Sequence, residues 1–191
     1  MNFININITK NHNLVFDSKG ETYVVFFHNI SGKLTFEIIQ SNIKLYIYGL
    51  FTGRNKDEFH IETIQHHTAH GSLSDLLIKG VFEDQSKFVY QGLIRLEKEA
   101  QQSHAYQKNQ NVMLSKEAFI DTRPFLEILA NDVFCTHGSA TGKLSEDQLL
   151  YAQTRGLSQK ESEKLLVRGF VDELYDKICR HGVSMEQIGG L

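Results

Sequence analysis

The sequence has no tryptophan, one proline and two cysteines in 191 residues. Cys135 and Cys179 cannot staple a chain of this length, which excludes the disulfide-framed secreted class. No apolar run approaches the roughly 20 residues that a membrane-crossing helix needs. The N-terminus, Met1-Asn2-Phe3-Ile4-Asn5, lacks the basic-then-apolar pattern of a secretory signal. A cytoplasmic location is therefore expected, with both cysteines as thiols. Charge of one sign is also lacking: 20 basic and 23 acidic side chains leave a formal charge of −3. The two signs alternate along most of the chain, so no basic stripe is available to neutralise a phosphate backbone. Neither nucleic acid nor a membrane is an expected partner. A protein or a small inorganic species is.

What the chain does contain is 41% apolar residues, enough to build a core. Its length fits one ordinary domain with a small appended part. Up to about residue 142 the pattern is of short strands. Tyr23, Val25 and Phe27 alternate, as do Leu34, Phe36 and Ile38, then Ile43, Leu45 and Ile47, then Phe59 and Ile61. Shorter runs follow at Leu76 to Ile78, Val81–Phe82, Val89 and Ile94 to Leu96. Turn signals separate them at residues 29–32, Gly49, residues 53–57 and Gly71-Ser72. Many short strands imply a sandwich, a barrel or a solenoid, and no strict repeat selects among them. Pro124 is expected at a sheet edge or at a turn between rungs.

Beyond Gly142 the pattern becomes helical. Ser145-Glu146-Asp147-Gln148 has the form of a capping box and opens a short helix to about Arg155, with Gly156 past its end. A second box, Ser158-Gln159-Lys160-Glu161, opens a longer helix with a stripe of Leu166, Phe170, Leu174 and Ile178, flanked by Leu165 and Val171. Gly182 is its expected stop.

Three motifs could carry chemistry. Gly138 to Leu144 looks like a phosphate loop, but its first glycine is one residue too close to Gly142-Lys143. Leu144 also stands where a magnesium-binding hydroxyl is needed. It is expected as a glycine-rich turn. His66, His67 and His70 do not share a strand face, so they are expected as surface histidines on a turn and not as a metal site. Cys135-Thr136-His137 is sharper. On a strand Cys135 and His137 project to one side, about 6–7 Å apart, and thiolate with imidazole suits iron or iron–sulfur species. Two donors cannot close a site, so a cluster here needs donors from another chain.

His67-Thr68-Ala69, Lys79-Gly80-Val81, Asp84-Gln85-Ser86 and Val89-Tyr90-Gln91-Gly92 occur in this order. They are followed by Ala105-Tyr106-Gln107 with Asn109, Leu114-Ser115, and Thr122-Arg123-Pro124 with Leu126-Glu127-Ile128. Cys135-Thr136-His137-Gly138, Ala140-Thr141-Gly142, Gln148 to Gly156 and Leu165 to Phe170 complete the set. This ordered series resembles the SufB/SufD family, and more closely its SufD-like branch. The resemblance implies a mainly β fold: a right-handed parallel β-helix over residues 1–142, then a C-terminal α-helical subdomain over 143–191. It implies no turnover of its own. The implied role is a scaffold subunit of SUF-type iron–sulfur cluster assembly, paired with a SufB-like subunit or a second copy of itself. A SufC-like ABC ATPase would dock on the helices, with Leu149, Tyr151, Arg155, Leu166 and Phe170 as candidates. Cys135 and His137 would lie at the pair interface, where a cluster or its iron and sulfide precursors are held transiently. Asn131 and Phe134 depart from the family, standing where acidic and basic residues are usual. Two other readings are a β-helix enzyme acting on carbohydrate or acyl groups, using Asp57, Glu58 and Glu62, and a structural subunit without cluster chemistry.

Overall fold

A computed structural model describes residues 1–189. Eleven strands form two parallel sheets, in the orders β1-β3-β5-β7-β9-β11 and β10-β8-β6-β4-β2. Odd strands make one wall and even strands the other, so the chain winds as a solenoid of two-strand coils. The odd wall comprises β1 (Asn2–Ile6), β3 (Thr22–His28), β5 (Lys44–Gly53), β7 (Leu73–Phe82), β9 (His104–Met113) and β11 (Phe134–Gly142). The even wall comprises β2 (His12–Phe16), β4 (Gly32–Ile38), β6 (Glu58–His67), β8 (Lys87–Leu96) and β10 (Phe119–Ile128).

Alternation decides which side chains enter the solenoid. Tyr23, Val25 and Phe27 stack on Leu45, Ile47 and Gly49 across the β3–β5 register, and the larger of these side chains are buried inside. Leu34, Phe36 and Ile38 face them from the other wall, fully buried. Each such side chain contributes about 1.5–3 kcal/mol through burial. Gly49, expected at a turn, lies within β5, where a Cβ would come 2.5 Å from the Phe27 ring. Likewise Leu76–Ile78 and Val81–Phe82 are one strand, continuous through Lys79 and Gly80.

The interior changes character along the axis. The first coils are filled by Phe16, Phe27, Phe36 and Phe51. From β6 onward polar residues enter: Thr63, Gln65, His67, Ser74, Gln107, Asn109 and Asn111 are all buried. Thr63 Oγ1 lies 2.9 Å from the Tyr90 hydroxyl. His67, expected on the surface, is wholly inside at the end of β6, with Nε2 2.8 Å from Ser74 Oγ. Its neighbour His66 points outward to Glu97 at 3.0 Å, and His70 lies beyond the strand.

The corners repeat where the sequence does not. Gly20, Asn42, Gly71 and Gln102 occupy equivalent positions leading into the odd wall, all with positive φ. Their N–H groups donate to the next coil: Asn42 N to His70 O, Gly71 N to Gln101 O and Gln102 N to Asp132 O. Glycine and asparagine tolerate this left-handed conformation, so different residue types satisfy one geometric demand.

Three helices follow: α1 (Glu146–Thr154), α2 (Gln159–Cys179) and α3 (Met185–Ile188). Ser158 and Glu161 form a reciprocal capping box at α2, whereas at α1 only half of the expected box forms, the Ser145 hydroxyl accepting from Gln148 N. Ser184 and Gln187 form a further box, the signal for α3 that the pattern reading missed. The second half of α2 lies on the outer face of the odd wall. Leu174 and Ile178 pack with Val24, Phe26, Tyr48, Leu50 and Leu77. The tail then runs to β1, where Asn5 Nδ2 donates to Ile188 O at 3.1 Å. Lys79, fully buried, fastens the middle of α2: its Nζ donates to the Phe170 carbonyl at 2.7 Å and to Glu173, beneath the Phe170 ring. The first half of α2 packs with α1, and Leu165 is 54% exposed, so only the lower part of the expected stripe is buried.

Candidate functional site: the open end of the solenoid

The last coil is built like the others but has nothing over it among the described residues. β11 pairs only with β9, and β10 only with β8. Register fixes which side chains face the axis. Cys135 stacks over Ala105, His137 over Gln107 and Ser139 over Asn109. One coil further in, the same columns continue as Ser74, Leu76 and Ile78. Those inner residues are buried, whereas His137 and Ser139 are exposed. The inward face of the terminal coil is thus a cross-section of the interior presented to solvent.

Hydrogen bonds hold this face in place. Thr122 Oγ1 and Ser139 Oγ are 2.6 Å apart across the solenoid. Asn111 Nδ2 donates to Asn109 Oδ1 at 2.6 Å and to Thr141 Oγ1 at 3.3 Å. Pro124 lies mid-strand in β10, whose outer edge is unpaired, so its missing N–H costs no ladder bond; the rung-turn alternative does not occur. Leu126 and Ile128 on the same strand are 40% exposed.

The structure brings Cys135 and His137 to this face on one strand, with unlike surroundings. Cys135 packs on the cluster of Ile94, Leu96, Ala100 and Ala105. Burial pushes its thiol up, offset in part by a hydrogen bond from the Ala105 backbone. A thiol held protonated is a poor nucleophile until a metal displaces the proton. No three His, Cys, Asp or Glu residues among those described converge to hold a metal ion.

The five helical candidates fall on the α1–α2 hairpin. Leu149 and Leu166 are half-buried in it, whereas Tyr151 is 62% exposed. Arg155 lies over the Tyr151 ring and donates to its hydroxyl at 3.2 Å. Phe170 faces Lys79 at the junction with the solenoid. Leu150, which the pattern reading did not single out, and Leu165, expected beside the stripe, are large exposed apolar residues of the same hairpin.

One expectation changes. Gly138 to Gly142 is strand and not a turn, because β11 runs through it in register with β9. Among the acidic group, Glu58 pairs with His60 at 3.0 Å and Glu62 with Lys33 at 2.9 Å, while Asp57 accepts from Arg54 N. All three sit on the exterior of the even wall or its turn, occupied by local partners.

The family model for the SUF system FeS cluster assembly SufBD core domain matches residues 11–170. The chain belongs to the SufBD family. The matched span runs from the start of the even wall to Phe170, so the open end and the hairpin both lie within the family region. An iron–sulfur cluster assembly protein SufD of Escherichia coli is 31% identical over 110 residues, 58% of this chain and 26% of that protein. A SufBD family protein of Synechocystis is 33% identical over 129 residues, 68% of this chain and 28% of its own length. SufD of Bacillus subtilis is 28% identical over 136 residues, covering 71% and 31%. The aligned part thus spans about a quarter to a third of these SufBD relatives. SufBD assembly proteins are generally non-catalytic scaffolds.

Proposed function

We propose that this chain is a scaffold subunit of a SUF-type iron–sulfur assembly complex, working in the cytoplasm. It pairs through the open end of its solenoid with a SufB-like subunit or a second copy of itself. The observation that carries this reading is the exposed interior cross-section at β10–β11, which holds Cys135 and His137. In every other coil the equivalent columns are covered by the next strand. A second solenoid end would cover them here, and would also supply the donors that two residues cannot. The cluster, or its iron and sulfide precursors, is cargo held between the two chains. Cys135 loses its proton only when iron binds, which favours transient loading over a permanently charged thiolate. α1 and the first half of α2 leave Tyr151, Leu150 and Leu165 exposed, and form the docking element for an ABC-type ATPase.

Co-purification and anaerobic reconstitution test the two halves together. ATPase association should survive Cys135→Ala and be lost when residues 145–170 are deleted. Visible cluster absorption should arise with iron and sulfide only when the second scaffold subunit is present, and fall when Cys135 and His137 are both replaced by alanine. ATPase capture by the hairpin-deleted chain, or unchanged absorption in the double variant, would remove the corresponding assignment.

A further inference from the structure

On the outer face of the odd wall a groove of about 530 Å3 lies between the sheet and α2, reaching His137 at its β11 end. β7 contributes Asp75 and Leu77, β9 contributes Tyr106 and Lys108, and α2 contributes Glu173 and Lys177. Its charges divide into two kinds. Glu173 is already neutralised by the buried Lys79. Asp75, Lys108 and Lys177 are different: among the described residues none of their side chains is ion-paired or hydrogen-bonded. They feel one another's fields, since both lysines favour the ionised form of Asp75, yet they do not touch.

Opposite charges here share a partly enclosed place without pairing. Free lysines and a free carboxylate on a flat surface are solvated and carry no information. Here the carboxylate is partly buried, and desolvation raises its pKa against the pull of Lys177, His181 and Lys108. A desolvated carboxylate without a donor is a costly arrangement, which a ligand's ammonium group would relieve. His181 does not supply it. Burial holds that imidazole toward the neutral form, and its Nε2 is 3.0 Å from the Tyr48 hydroxyl. An anion alone would meet Lys108 and Lys177 but be opposed by Asp75, and a cation alone would meet the reverse.

We propose that this groove binds a free α-amino acid, with its ammonium group on Asp75 and its carboxylate between Lys108 and Lys177. The ligand's side chain rests toward Leu77 and Tyr106, where the groove has room beyond a backbone-sized zwitterion. Gly138 on β11 leaves the far side open, since no atom lies within 4 Å of where its Cβ would be. The groove adjoins the assembly face through His137, but the three charged groups that would hold the ligand, Asp75, Lys108 and Lys177, have no part in the assembly role.

The test is an amide-detected NMR titration of the full chain with three probes: L-serine as zwitterion, acetate as anion and methylammonium as cation. L-Serine should give saturable shifts concentrated at residues 75, 106, 108 and 177, with at least about tenfold tighter binding than either single-charge probe, the worth of one charge-assisted contact. Asp75→Asn should remove the preference for L-serine over acetate. Lys108→Met with Lys177→Met should abolish response to both. Both variants change side chains at the groove surface, and an unchanged melting transition checks that they fold. Acetate binding as tightly as L-serine would overturn the proposal in favour of a plain anion site. Scattered or absent shifts would overturn it in favour of a seat for charged groups of a protein partner, as would L-serine binding undiminished by Asp75→Asn.

Discussion

His67 sits at the end of β6 with its ring inside the solenoid, one nitrogen on Ser74 and Nδ1 without a partner. Burial, with a smaller push from His66, drives its pKa from the ordinary 6.5 down to about 4. The unfolded chain therefore takes up a proton below about pH 6.5 that the folded chain refuses. The stability tied to this neutral ring is complete above that pH and is lost progressively as pH falls toward 4. The shift corresponds to about 3 kcal/mol at most. Replacing His67 and Ser74 together, by leucine and alanine, should leave a shallower decline in the urea midpoint between pH 6.5 and 4 than the natural chain shows. An identical acid limb in both proteins would show that carboxylates such as Glu97 control it alone. The same residue marks a limit of legibility. His66-His67 looks like a surface pair because histidines commonly are, and only the parity of β6 decides which of the two is swallowed. Cys135 and His137 were legible as a pair on one strand face. The exposure of His137 was not, because it depends on the lack of a covering coil among the described residues and not on any neighbour in sequence.

At the scale of elements, the helices were the easiest to read, since capping boxes are local chemistry. Ser158 and Glu161 satisfy each other's backbone N–H groups, with Glu161 accepting from Ser158 N at 2.8 Å. Ser158→Ala should cost about 1 kcal/mol and fray the start of α2, visible as faster amide exchange over residues 159–165 with little change in the strands. Uniform acceleration along the whole chain would mean that the hairpin and solenoid open together. Strands were legible where apolar residues alternate, as in β3, β4 and β5. They were illegible where the interior is polar. β9 reads His-Ala-Tyr-Gln-Lys-Asn-Gln-Asn-Val-Met, and its buried residues include Gln107, Asn109 and Asn111. Hydrophobic period cannot detect a strand whose inward face is amide. The glycine-rich run of β11 misled for the related reason that exposed small residues imitate a turn.

At the scale of the whole molecule, the solenoid hides its repeat by changing its length. Thr22 lies opposite Lys44, an offset of 22 residues. Lys44 then lies opposite Leu73, and Leu73 opposite His104, offsets of 29 and 31. A single period therefore does not run through the sequence, although the left-handed corner recurs at Gly20, Asn42, Gly71 and Gln102, before four successive odd strands. The family resemblance supplied the solenoid because ordered motifs tolerate such changes in spacing. Leu174 anchors the helix across these coils, fully buried against the odd wall. Leu174→Ala should destabilise the protein by about 2–5 kcal/mol, measured by urea unfolding. A loss below about 1 kcal/mol would show that α2 is held by Lys79 and the tail instead.

The path of α2 and its tail over β7, β5, β3 and β1 bears on how the molecule comes apart. A linear array of stacked repeats is held by nearest-neighbour contacts, so it can unravel stepwise from either end. A helix that touches non-adjacent repeats adds links between sites several steps apart, and breaking any one of them releases the others. Partly unravelled species are then penalised, and the equilibrium sharpens toward two populations. Asn5 reaching Ile188 closes this circuit between opposite ends of the chain. Without the tail beyond Gly182, denaturation should broaden and its m-value fall, as the array regains the freedom to melt one repeat at a time.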